Sequence, residues 1–197
     1  MSDLSMRRAE HSDSVTTLIC RLCLGQIAPE RVAYAAALSN PVALALIEPA
    51  ELPADPRERS AYAARPLSHI EAVRWAADLA ELAIKHAWDT NYDQRPAEAI
   101  AATRRWAGCP CEHHRAAVVM ARASVMDLSS TSWPSLSVTS WAAVYATALT
   151  AVWAADAAAW AAVWATKGAG WVAQAAVRSG AITWDGIYID LADRLVA

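Results

Sequence analysis

The sequence predicts an all-α protein: an antiparallel multi-helix bundle of about eight or nine helices with a central Ala/Trp-rich helix. Three observations carry this. Alanine supplies 48 of the 197 residues, and it is the strongest helix former. Helix start and stop signals recur along the chain, whereas the period-two alternation of a half-buried strand is almost missing. From 141 to 165 neither Gly nor Pro interrupts the chain.

The elements follow in order. Asp13 can cap a helix over 14–24 that Gly25 closes. Pro29 suits the first turn of a helix through Leu38, and Asn40-Pro41 starts another through Ile47. Pro49, Pro53 and Pro56 make 48–57 a turn-rich connection. This divides the chain into an N-terminal short-helix segment, 1–50, and a main Ala-rich domain, 51–197. Ser68 and Glu71 form a capping box that opens a helix to about Trp88, where Glu81 and Lys85 are an i,i+4 pair. Pro96 opens a helix that Gly108 ends, and another covers 113–128. Eight Ser or Thr and Pro134 within 128–140 predict a loop. A long helix then runs over 141–165, stopped by Gly168 and Gly170, with shorter helices over 171–178 and 184–196. In the last of these Trp184, Ile187, Leu191 and Leu195 share a face, and Asp190 pairs with Arg194.

Composition narrows the function. The chain is 56% hydrophobic and 19% charged with a net charge of −3, so it can bury a core. Without a run of Lys or Arg, no nucleic-acid partner is expected. The bias to 15 Arg over 2 Lys, and to 10 Trp with no Phe, follows GC-rich codons and points to a bacterial or phage gene. Four cysteines are too few for a disulfide-built scaffold, and residues 1–14 hold no apolar leader. A cytoplasmic protein with reduced thiols is the expectation.

Trp153, Trp160, Trp164 and Trp171 fall on one stripe if the helix continues past Gly168 and Gly170. They suit a buried central helix, a membrane span or an interface between protein chains. Asp156 near the middle of the span costs roughly 3 kcal/mol against about 1–2 returned by its Val and Leu residues. The span is therefore disfavoured and a core helix is expected, with the Trp stripe as the alternative oligomer seam. A buried Asp156 needs a partner, which Arg104, Arg105, Arg115 or Arg122 can supply.

Cys20-Arg-Leu-Cys23 and Cys109-Pro-Cys111-Glu-His113-His114 hold the residues with metal-ligand chemistry. Cys20, Cys23, Cys109 and Cys111, or three of them with His114, can supply tetrahedral zinc. Against this, Cys20 and Cys23 sit among leucines at i,i+3, where small core residues are the simpler reading. No cofactor is expected on this simpler reading. No Gly-rich phosphate loop, nucleophile elbow or HExxH occurs, and a non-enzymatic protein is the expectation.

The run Arg74-Trp-Ala-Ala-Asp-Leu-Ala-Glu-Leu-Ala-Ile84 is followed by a segment bearing Asp93, Arg95, Pro96, Ala99, Ile100, Ala102, Arg104 and Trp106. Together, over residues 71–126, they resemble the Ala-rich helical immunity proteins of bacterial toxin–immunity loci, which have phage-encoded relatives. The resemblance implies a protein that neutralises a toxin by direct binding. Read physically, the same segment is an αα-hairpin joint with Ile100, Trp106, Ala99 and Ala102 turned inward. The alternatives are a phage or bacterial structural or accessory protein that self-associates through its Trp-rich helix, and a zinc-dependent protein. The expected partner is thus another protein or a second copy of the chain.

Overall fold

The computed structural model describes residues 15–87, 94–130 and 161–197. Among the described residues there are nine helices and no strand. The protein is an all-α multi-helix bundle. The chain divides into two compact units, Met1–Pro53 with Asp185–Ala197, and Ala54–Trp184. The final helix therefore groups with the N-terminal helices, whereas the sequence placed it with 51–197.

In the first unit, α1 covers 15–23 and Gly25 ends it with φ +65°, the left-handed conformation that glycine adopts without a Cβ penalty. α2 is Pro29–Ala37, and α3 is the single turn Pro41–Leu44, capped by Asn40 through the N–H groups of Val42 and Ala43. The last helix, α9, is Trp184–Val196. Its Ile187, Leu191 and Leu195 are fully buried, as are Val32 and Ala35 of α2. Polar bonds explain why α9 returns to this unit. Arg31 donates from Nε to the Leu195 carbonyl and from an Nη to the Arg194 carbonyl, both at 2.9 Å, and Arg21 donates to the Val196 carbonyl. Cations thus satisfy carbonyls that the end of a helix leaves unpaired. The predicted Asp190–Arg194 pair forms at 3.0 Å.

In the second unit, α4 is Pro56–Ala63, α5 His69–Ala87, α6 Arg95–Gly108, α7 Glu112–Ser130 and α8 Ala161–Arg178. α5 packs against both α6 and α8, α4 against α8, and α7 against α6. Contact on two sides buries more of α5 than one amphipathic stripe: Ala72, Val73, Trp75, Ala76, Ala77, Leu79, Ala80 and Ala83 are almost inaccessible. Each large apolar side chain buried here contributes about 1.5–3 kcal/mol, and the alanines let neighbouring backbones approach closely. The capping box forms as predicted, with Ser68 N–H donating to Glu71 at 2.7 Å and Glu71 N–H to Ser68 Oγ at 3.2 Å.

Three elements differ from the sequence reading. α4 shares only Pro56 and Arg57 with the expected turn-rich connection and continues through Ala63, where the sequence assigned no element; its sequence PRERSAYA has no apolar period, but Asp55 caps it and Pro56 starts it. α7 runs on past Leu128 through Ser129 and Ser130, which the sequence assigned to the following loop. Gly168 and Gly170 do not stop a helix; both lie inside α8. Gly170 sits where α4 crosses: a Cβ there would lie 3.0 Å from Ala61 Cβ and 3.2 Å from the Arg57 carbonyl oxygen. The missing side chain sets the spacing of α4 and α8. The remainder of the loop and the 141–160 stretch of the expected Ala/Trp helix, with Asp156, lie outside the described residues.

The α5–α6 hairpin is tied across the C-terminal part of α6. Arg74 near the start of α5 donates to the Ala107 carbonyl near the end of α6 at 3.0 Å, and Arg104 reaches back to Asp78 at 2.6 Å and Glu81 at 2.5 Å. These pairings run antiparallel. Ile100, Trp106, Ala99 and Ala102 are buried as the joint requires. Glu81 also takes Lys85 at 2.9 Å, and Arg115 is held by Glu112. Arg104 and Arg115, two of the cations suggested for Asp156, thus have carboxylate partners among the described residues.

Candidate functional site

α6 ends at Gly108 and α7 begins at Glu112. Residues 109–111 make the turn between them. Cys109 is extended, with φ −145° and ψ 93°, and its N–H closes the last turn of α6 on the Arg105 carbonyl at 3.0 Å. The Cys111 N–H folds back on the Cys109 carbonyl at 2.8 Å, and the Cys111 carbonyl accepts the first α7 bond from Arg115 at 3.0 Å. Both cysteines are thereby fixed by backbone bonds on either side of Pro110, at the mouth of a helix. Both are exposed. His114 turns back over them: its Nδ1 lies 3.5 Å from Cys111 Sγ and 2.9 Å from the Cys109 carbonyl oxygen. The two sulfurs and one His114 nitrogen all fall within 4.8 Å of one another.

The two thiols are not equivalent. The backbone N–H of His114 holds the Cys111 thiol below its ordinary range, helped by the Cys109 thiol, as expected for sulfur facing a helix N-terminus. The same bond to Cys111 pushes Cys109 up. The turn thus presents one thiol that ionises more readily beside one that ionises less readily. Glu112 is taken by Arg115, with bonds of 2.7 and 2.9 Å, and Arg115 lowers its carboxyl. That carboxylate is committed to an ion pair.

Of the five residues considered for metal, Cys109, Cys111 and His114 come together. Cys20 and Cys23 lie on α1 in the first unit and are exposed, so the core reading of that pair is not met. Of the Trp stripe, Trp153, Trp160 and the side chain of Trp164 lie outside the described residues. Trp171 is 54% exposed, with the Arg57 guanidinium 4.7 Å above its ring.

A second surface begins at the same turn. Ala116, Val119, Met120 and Ala123 are exposed on α7, within an arc of about 100°. Val119 is 41% and Met120 73% accessible, while Val118 and Val125, on the opposite side of α7, are buried. The sequence did not single out this face, because apolar residues fall on several sides of 116–126 around Arg122 and Ser124, and periodicity alone does not choose the outer side. The first unit also carries a groove of about 400 Å³ lined by Arg21, Asn40 and Asp193 among others. Its polar groups serve the fold: Arg21 holds the end of α9, and Asn40 lies 3.4 Å from Asp193.

Among known proteins, no family, curated sequence or solved structure matches the chain. Among the described residues, no helix is long and apolar enough to cross a membrane.

Proposed function

We propose that the chain is a non-enzymatic helical binding protein that engages another protein, resembling immunity proteins that neutralise a toxin by direct association. The observation that supports this most is the outer face of α7. Val119 and Met120 stand well exposed between Ala116 and Ala123 on a helix whose other side is anchored on α6. A rigid helix with an apolar stripe suits docking into a groove on a partner, and methionine adapts to irregular surfaces. The α5–α6 hairpin that carries the family resemblance provides the scaffold behind it.

Native mass spectrometry of gently purified tagged protein from its own host tests this reading. One partner polypeptide at fixed stoichiometry, lost in Met120→Asp with the far-UV circular dichroism unchanged, is the expected result. A partner retained by that variant removes α7 as the binding face, and a chain with no heterologous partner overturns the reading. Self-association through the Trp-bearing helix is the second reading, favoured by the exposure of Trp171. It requires a homo-oligomer that dissociates in Trp171→Glu.

A further inference from the structure

We propose that Cys109, Cys111 and His114 bind one Zn²⁺ ion through two thiolates and one imidazole, leaving a fourth coordination position to solvent. The inference is independent of the α7 docking face. With Zn–S of about 2.3 Å and Zn–N of about 2.0–2.1 Å, a tetrahedral ion separates sulfur and nitrogen by about 3.6 Å and two sulfurs by about 3.8 Å. Cys111 Sγ and His114 Nδ1 stand 3.5 Å apart, and all three ligand atoms lie within 4.8 Å. The observed spacing is already close to an edge of that tetrahedron.

The backbone fixes this arrangement before any ion arrives. The Cys109 N–H is tied to Arg105, the Cys111 N–H to Cys109, and the Cys111 carbonyl to Arg115, so few torsions remain to be ordered. Ligation by Nδ1 exchanges its 2.9 Å contact with the Cys109 carbonyl for the ion and leaves the ring proton on Nε2. Both thiol protons leave to solvent on binding, and two thiolates then balance the charge of Zn²⁺. Exposure of both cysteines gives the ion its path. Two soft sulfurs and an imidazole select this ion over Mg²⁺ or Ca²⁺, which take oxygen ligands.

The test uses the reduced full-length chain titrated with Co²⁺ and then Zn²⁺. One equivalent of Co²⁺ should produce a thiolate-to-cobalt charge-transfer band with intense tetrahedral d–d absorption, and one equivalent of Zn²⁺ should abolish both. Cys20→Ser/Cys23→Ser should leave the titration unchanged. Cys109→Ser/Cys111→Ser should remove the charge-transfer band, and because serine is a good N-cap the helix content should persist. His114→Ala should weaken binding and alter the d–d bands. No band at one equivalent, a band surviving in Cys109→Ser/Cys111→Ser, or one lost with Cys20 and Cys23 would overturn the proposal.

Discussion

Replacing Gly170 by alanine separates the two roles a glycine can play inside a helix. In an open helix interior the change gains about 1 kcal/mol, because alanine loses less backbone freedom on folding. At Gly170 the new Cβ would meet Ala61 Cβ at 3.0 Å and the Arg57 carbonyl oxygen at 3.2 Å. Carbon pairs prefer about 3.5–4.0 Å, so α4 must move by several tenths of an ångström. One of the opposing atoms is backbone and cannot rotate away. Overpacking of this kind costs about 1–3 kcal/mol, and Gly170→Ala should be net destabilising by about 1 kcal/mol after the propensity gain. Gly108 is the control. It is helical, and a Cβ there meets nothing within 4 Å, so Gly108→Ala should stabilise by about 0.5–1 kcal/mol. The two variants should differ in melting temperature by roughly 3–8 °C for a chain of this size, read by circular dichroism alongside urea midpoints. In a double-mutant cycle Gly170→Ala should cost less in an Ala61→Gly background than in the native chain, through relief of the shared contact. Equal stabilisation by both Gly→Ala changes would refute the close α4–α8 crossing.

Other perturbations test the polar framework. Arg104→Ala removes both carboxylate contacts across the α5–α6 hairpin; with all three side chains partly exposed, the loss should be about 0.5–1 kcal/mol and shrink at high salt in urea titrations. Lys85 and then Arg104 hold the Glu81 carboxyl below its usual range, so the unfolded chain binds the proton more readily. Stability from this group is complete above the ordinary glutamate range and lost as pH falls through the folded value; Glu81→Gln should flatten the acid limb of a urea-midpoint profile. Arg31→Ala leaves the Leu195 and Arg194 carbonyls without their guanidinium, at about 1–3 kcal/mol; an unchanged urea midpoint would show that α9 docks by apolar burial alone. Cys111 should alkylate faster than Cys109 in the metal-free chain, because the His114 N–H lowers its thiol while the bond to Cys111 raises that of Cys109; peptide mass spectrometry after brief iodoacetamide treatment reads the ratio, and equal rates would contradict the asymmetry.

Local chemistry made much of this chain legible. The Ser68–Glu71 capping box, the Glu81–Lys85 and Asp190–Arg194 pairs and the inward set Ile100, Trp106, Ala99 and Ala102 each depend on residues within a turn or two of one another, and the structure contains them all. The same holds for the cluster Cys109, Cys111 and His114, whose spacing across a helix start brings the ligands together without help from distant chain. α4 was missed because its apolar period is absent, although Asp55-Pro56 marks its start.

The all-α class, most helix starts and the contents of the Cys–His turn follow from local chemistry, since capping, propensity and i,i+4 pairing act over a few residues. Tertiary structure decided which glycine interrupts a helix and which admits a neighbour, because Gly25 turns the chain at φ +65° while Gly170 lies under Ala61 and Arg57. It also decided which side of α7 faces outward, and that α9 closes on Arg21 and Arg31. Those outcomes depend on residues far apart in the chain, and an alanine-rich helix offers similar apolar surface on several sides.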